Sequence, residues 1–527
     1  MAEPKPARLA FRLAVVTAVL AALLAGIAPS GGSAAPATVV RTVRVAAADL
    51  VPTRPGPTIS LADGRLRAAT DARTAPVAVC APMWFTAVGI TWSQPEDGEV
   101  HLNVASAHDR SSFGTPTRLD AEDDADPGTP DFRERRGSSM LWTGGARCVR
   151  LRIELAASVE ITDVRAVFVN SSGTPNGPRT ATEPNLGPVA IRQAAGGFAP
   201  VTAMAEARRP RIITREQWGA DPDLMNCTPL VADEVRMGFV HHTAGSNAYS
   251  EAESDDVVRG VYAYHTNGRG WCDIGYNFLV DRYGNVFEGR SGGVDRPVIG
   301  AAQMGFNTRA FSVSAMGDFE TAAVPRKTQR ALVRILAWRL DVAHVNPALR
   351  AKMTSAGGDN ARYIEGTVVR LKAISGHRDT GYTACPGGRL YQLLPEIRAR
   401  VASRGLPKLY KPRLSNDRFV SGEPVNVRIR AKGSTALTWE VSVLAPDGST
   451  FRTFDPPRST QLDLLWPRSE PASFPTEPGI YQIAITAGAK DGVARPALLP
   501  LTILPIPPPS PSPSPSASPS PSTSPSP

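Results

Sequence analysis

Apolar and polar residues alternate with a period of two through both ends of this chain, whereas helical spacing is confined to its middle. TVVRTVRVAA (38–47) alternates as an edge strand would. From 77 to 170 the runs FTAVGITW (85–92), VHLNVAS (100–106), CVRLRIEL (148–155) and VRAVFVN (164–170) are separated by turn residues, with no competing helical period. That block is expected to be a β-sandwich. Up to residue 76 the chain is otherwise rich in Pro, Gly and Ala, so 38–76 is expected to be a flexible segment. Residues 171–207 have a linker's composition.

The middle, 208–405, mixes both periods. GFVHHT (238–243) reads as a buried strand. Ser250 and Glu253 form a capping-box pattern ahead of a helix carrying Val257, Val258, Val261, Tyr262 and His265 on one side, and Asn267-Gly268 stops it. NFLVD (277–281) and NVFEGR (285–290) flank a turn and predict a hairpin. AFSVSAMGDF (310–319) predicts a strand, 328–344 an amphipathic helix, AISGHRD (373–379) a short strand, and 395–401 a last helix. This part is therefore α/β. From 406 to 505 strands return in VNVRIRA (425–431), LTWEVSVLA (437–445) and YQIAITA (481–487), which suits an immunoglobulin-like β-sandwich without the cysteine pair of antibody domains. The Ser-Pro repeats of 506–527 predict an unpacked, extended tail.

At 527 residues the chain is too long for one core, which agrees with this division. The net charge of +9 is spread thinly, with no dense basic stretch interleaved with aromatics, so nucleic acid is not an expected partner. An anionic cell-wall polymer is compatible with it. Residues 1–37 read as an export signal: Lys5, Arg8 and Arg12 precede an apolar run at 13–27, and Ala35-Pro36-Ala37 offers a cleavage site. The alternative is an uncleaved anchor. The expected product is a secreted monomer, extracellular or cell-wall associated, with no stable membrane insertion once the signal is removed.

An exported chain sits where disulfides persist. Of five cysteines, Cys80 and Cys148 share the N-terminal block and are expected to pair. Cys227 and Cys272 flank the histidine-rich stretch and could form a second pair, although spacing does not fix connectivity. That arithmetic leaves Cys385 free. Two other features invite a function. DAEDDADPGTPD (120–131) could cage calcium, but its spacing matches no EF-hand, so a solvated acidic loop is expected. Trp84, Trp92 and Trp142 could stack on sugars, or could fill a core.

The chemistry-bearing stretches are GFVHHTAG (238–245) and SGHRDTGYTACPGG (375–388). His241 and His242 are neighbours in a strand, so only one faces a given site. One of them, with His377 and the free Cys385, fits a three-donor zinc site whose fourth position is open, as catalytic zinc requires. Tyr276 and Thr383 are candidates for handling protons or an oxyanion, or else a core-edge tyrosine and a turn residue. Asp379 could orient His377 or nearby backbone.

Five stretches, IITREQWGA, FVHHTAG, GWCDIGYNFLVDRYGNVFEGR, GFNTRAFSVSAMGDF and SGHRDTGYTACPG, occur in order between 210 and about 400. This region resembles the peptidoglycan recognition proteins, a zinc amidase family that also includes phage lysozyme-type amidases. The resemblance implies a central mixed β-sheet flanked by helices, and cleavage of the bond between N-acetylmuramic acid and L-alanine in peptidoglycan. It implies zinc ligands His241, His377 and Cys385, and catalytic roles for Tyr276 and Thr383. Members lacking the third ligand bind the wall without cutting it. Ala302-Gln303 departs from the family pattern, where many relatives carry a substrate-contacting histidine, and this leaves stem-peptide preference open. A non-catalytic wall-binding module and a surface adhesin are the rival expectations. Residues outside 210–400 are not covered by the resemblance.

Overall fold

The computed structural model describes residues 37–52, 59–95, 98–122, 124–174, 207–423, 426–466 and 474–507. The expected export signal, most of the linker and the Ser-Pro tail lie outside them. No helix among the described residues is long and apolar enough to cross a membrane.

The central part is built on a five-stranded sheet. Its order is Val286–Glu288, Phe278–Val280, Ala310–Ala315, Met237–His242 and Ile374–Gly376. The hairpin pair is antiparallel and every other pairing is parallel, so the sheet is mixed. The inner strands MGFVHH and AFSVSA are buried at all six positions, as strands covered on both faces must be. The amphipathic pattern of 328–344 forms helix α2, Arg326–Val342, following helix α1, Ser254–Ala263. The Ser250–Glu253 capping box is present, and α1 runs on into a π-helical turn at Tyr264–Gly268. Helix α3 spans Gly388–Ala402, seven residues earlier in start than expected from Pro395. Proline suits a first turn, yet here it is tolerated within the helix, whose start is held by the Gly388 amide donating to Glu320 Oε2 at 2.7 Å.

The flanking parts are strand-built. Among the described residues ten N-terminal strands join in one hydrogen-bonded network, and eight C-terminal strands in another. Two expectations are corrected. The strand expected at 38–47 is present, Val39–Arg44 pairing along its whole length with Glu160–Asn170, but the rest of 38–76 is not loose, since Ile59–Ala62 pairs with Arg65–Ala68. The few apolar residues of this Pro- and Gly-rich stretch, among them Leu50, Ile59, Leu66 and Ala68, are buried in the N-terminal core. VRIRA (427–431) and LTWEVSVL (437–444) fall in one strand, Val427–Leu444, with a register shift between Lys432 and Leu437 where polar KGST interrupts the alternation.

The N-terminal network does not stand apart from the centre. One apolar cluster contains Ala87, Met140, Trp142, Val167 and Val169 from the N-terminal strands together with Val257, Val261, Tyr264 and Tyr276 from the central part. Tyr264 donates its hydroxyl to Ser138 O at 2.9 Å, and Ser171 Oγ donates to Asp256 O at 2.7 Å. Gly89 admits the Tyr264 ring at a place where a Cβ would overlap it. Trp92 and Trp142 are buried, 2% and 3% exposed, so these two fill cores and present no sugar-stacking face. Trp84 is partly exposed and lies under the Arg147 guanidinium.

Candidate functional site

Parallel pairing places the C-terminal ends of the Met237–His242 and Ile374–Gly376 strands side by side, and open α/β sheets carry their sites at such ends. The first delivers His241. The second runs directly into a short 3-10 turn that begins with His377. The loop after it returns Cys385 to the same point. His241, His377 and Cys385 are all buried, and one donor atom from each lies within 4.8 Å of the others. His242 points the other way, as strand alternation requires, and its Nδ1 accepts the Phe319 amide at 3.1 Å.

The donor set is prepared for a cation. Burial pushes the His241 imidazole down to about 3 and holds His377 well below the usual histidine value, so both rings are neutral and carry a lone pair. His241 Nε2 is paired with Gln303 Oε1 at 3.0 Å, and its Nδ1 lies 3.6 Å from Cys385 Sγ. A nitrogen and a sulfur bound to one tetrahedral zinc stand about 3.6 Å apart, from bond lengths of roughly 2.0 and 2.3 Å. His377 Nε2 is buried without a hydrogen bond. Burial, with the carboxylates of Asp124, Glu122 and Asp120 nearby, raises the Cys385 thiol well above its usual value, an arrangement that a bound cation would reverse. The residues fit a borderline-soft metal such as zinc.

Both other disulfide candidates pair as expected, Cys80 with Cys148 and Cys227 with Cys272, and Cys385 is the free cysteine. Asp379 holds backbone: it accepts the Gly376 amide at 2.9 Å and the Tyr391 hydroxyl at 2.5 Å. Thr383 Oγ1 accepts the Cys385 amide at 3.1 Å, which fixes the loop and leaves its own hydroxyl proton free to donate. Tyr276 is brought to the cluster, its ring 5.6 Å from that of His241. Burial, then the neighbouring Glu122 carboxylate, raises its phenol well above the usual value.

The acidic stretch 120–131 is not solvated. Among its described residues Glu122, Asp124, Asp126 and Asp131 are each 9% exposed or less, and Asp120, Glu122 and Asp124 line the cavity at this site. Glu122 Oε1 accepts the Tyr276 hydroxyl at 3.3 Å and Asp124 Oδ1 stands 3.3 Å from His377 Nε2. Asp126 Oδ1 accepts the Gly305 amide at 2.6 Å and Asn307 Nδ2 at 2.9 Å. Asp131 makes a buried two-pronged pair with Arg290 at 2.5 and 3.0 Å. The cavity left among Asp120, Glu122, Asp124, Tyr276, His377 and Cys385 is only about 10 Å³, room for about one water. Sequence reasoning missed Gln303 as the partner of His241 and missed this loop as part of the site. The available signals were the position of Gln303 beside the GFN motif and the density of carboxylates in an otherwise basic chain.

Residues 232–388 match the family model described as N-acetylmuramoyl-L-alanine amidase. Peptidoglycan recognition protein 1 of Bos taurus is 30% identical over 185 residues, spanning 35% of this chain and 83% of that protein. Peptidoglycan-recognition protein SC2 of Drosophila melanogaster is 28% identical over 181 residues, spanning 34% and 82%. Among solved structures, wild-type Drosophila PGRP-LB is 24% identical, with 35% of this chain and 92% of that one covered and a TM-score of 0.28. The amidase LysC of Clostridium intestinale URNW is 20% identical, covering 37% and 98%, with a TM-score of 0.26. The extent of the match to the bovine relative, with the family model laid over the strands and loops that carry the cluster, places the chain in the peptidoglycan recognition protein and N-acetylmuramoyl-L-alanine amidase family.

Proposed function

We propose that the chain is a secreted, zinc-dependent N-acetylmuramoyl-L-alanine amidase acting on peptidoglycan. The observation that carries this reading is the buried trio His241, His377 and Cys385, with donor atoms within 4.8 Å of one another. The two disulfides agree with an oxidising compartment. Zinc held by the trio would acidify water to near neutral pH and polarise the lactyl amide carbonyl. The chain's own residues supply the rest. Gln303 holds the His241 ring in the tautomer whose Nδ1 faces the trio. Tyr276, with its phenol raised, keeps its proton at neutral pH and is a hydrogen-bond donor to developing negative charge, not a base. Thr383, on the cavity wall, supplies a second donor through its hydroxyl proton.

Cys385→Ala is expected to weaken zinc binding sharply and to abolish the release of stem peptides from purified walls. Full release by that variant would sink the amidase reading. A binding-only module would instead retain wall binding under chelation and generate no new amino termini.

A further inference from the structure

Resting on the zinc reading above, we propose that Asp124 is a fourth donor to the same metal, supplied by the N-terminal part of the chain, and that the 120–131 loop thereby keeps the site closed. Three independent observations support this. The first is distance. Asp124 Oδ1 is 3.3 Å from His377 Nε2, an imidazole nitrogen that is buried and makes no hydrogen bond. At 3.3 Å the two atoms face each other without a hydrogen bond to His377 Nε2, a spacing that a cation shared between them would fill. Nitrogen and oxygen donors on tetrahedral zinc stand about 3.4 Å apart, from bonds of roughly 2.0–2.2 Å.

The second is anchorage. The Asp124 backbone carbonyl accepts Asn307 Nδ2 at 2.7 Å, and the neighbouring Asp126 carboxylate takes both Asn307 Nδ2 and the Gly305 amide. Asp131, at the far end, is locked to Arg290 and to the Cys272 amide at 2.9 Å. These contacts join residues up to 183 positions apart, so the carboxylate is aimed by the docked N-terminal strands and not by local turn geometry.

The third is access. Sites for substrates of this size have volumes of several hundred Å³. The cavity at the trio is about 10 Å³, while a groove of about 640 Å³ opens just beyond Asp120 and Ala121. Thr383 lines both spaces, so the loop stands between the groove and the trio. A zinc site with four protein donors is a closed, structural type of site; catalysis needs one position vacated. Departure of the loop would open that position and make room for the substrate in one movement.

The test uses the full chain, wild type against Asp124→Asn and Asp124→Ala. Zinc affinity is measured by competition with a chromogenic chelator, and stem-peptide release is measured on purified walls. The proposal expects zinc affinity to fall by about tenfold or more in both variants, while release rises several-fold. Those opposite directions separate it from misfolding, which lowers both, and the near-isosteric Asn variant keeps the packing. Wild-type zinc binding with unchanged affinity in the Asn variant overturns the proposal alone. A wild-type chain that takes up no zinc overturns the amidase reading and this proposal with it.

Discussion

Gln303 Oε1 lies 3.0 Å from His241 Nε2, while the Gln303 amide nitrogen faces Phe306 O at 3.4 Å. The second contact fixes which end of the amide meets the imidazole. The oxygen therefore accepts a proton from Nε2 and leaves the Nδ1 lone pair directed at Cys385. Where the family resemblance suggested a substrate-contacting histidine, this chain carries a residue that orients a donor. Gln303→Ala is expected to lower zinc affinity by about 10- to 100-fold without removing a donor. Titration against a chelator reads this, and Gln303→Glu, which keeps the acceptor, should recover most of the affinity. Equal affinities in the wild type and the Ala variant would assign Gln303 to packing alone.

The Asp131–Arg290 pair is buried on both sides, with side chains 7% and 4% exposed. Removing one partner strands the other charge out of water, which costs about 3–5 kcal/mol. Asp131→Ala is expected to destabilise the chain by an amount of that order in denaturant unfolding. The double variant Asp131→Leu with Arg290→Met should recover much of the loss. If Asp131→Ala costs less than about 1 kcal/mol, the range of a surface pair, the pair is not buried in solution.

His265 contributes to a pH dependence of stability. Its Nδ1 accepts the Gly275 amide at 3.1 Å, and burial lowers its pKa, opposed by the Glu122 carboxylate and assisted by Arg269 and Arg290. The unfolded chain therefore takes up a proton near pH 6.5, where the folded chain does not. Stability from this group is present above that pH and is lost as the pH falls below it, by up to about 1.4 kcal/mol per pH unit. The metal-free chain should melt at progressively lower temperature from pH 7 to pH 5, and His265→Gln should reduce the slope by its own share, the buried His241, His242 and His377 supplying the rest. An unchanged slope in that variant would remove His265 from the account.

Gly89 sits where the Tyr264 ring crosses the N-terminal strands. Gly89→Ala forces the ring or the strand to move and is expected to cost about 1–3 kcal/mol. Tyr264→Phe keeps the ring and loses the hydroxyl's hydrogen bonds to Ser138 O and Ile90 O, at about 1 kcal/mol. Comparing the two in thermal unfolding separates the close approach from the polar contact. A Gly89→Ala chain as stable as the wild type would show that the ring has room.

What was legible in the sequence was what depends on neighbours. The helix with Leu332, Ile335 and Leu336 on one face, the 278–288 hairpin and the Ser250–Glu253 box all follow from spacing within one turn or one strand. The three donors were legible because their residue types are rare and the family pattern ties them together. The strands at Ile59–Ala62 and Arg65–Ala68 were hidden because single buried residues such as Leu66 leave no period. The acidic loop was misread for a related reason. A carboxylate is solvated or buried according to its partners, and those of Asp131 and Asp124 lie 159 and 253 positions away, at Arg290 and His377.

The apolar cluster shared by Trp142, Val167, Val257, Val261 and Tyr264 has a consequence for making the protein. Polypeptides emerge amino terminus first. The sheet of 39–170 is thus complete before the helix that leans on it has been made. The central part is born onto a finished surface, and its oily side need never face water or a neighbouring chain. A truncated chain starting near residue 207 would lack that host surface and would be expected to self-associate through the bare face of Ser254–Ala263.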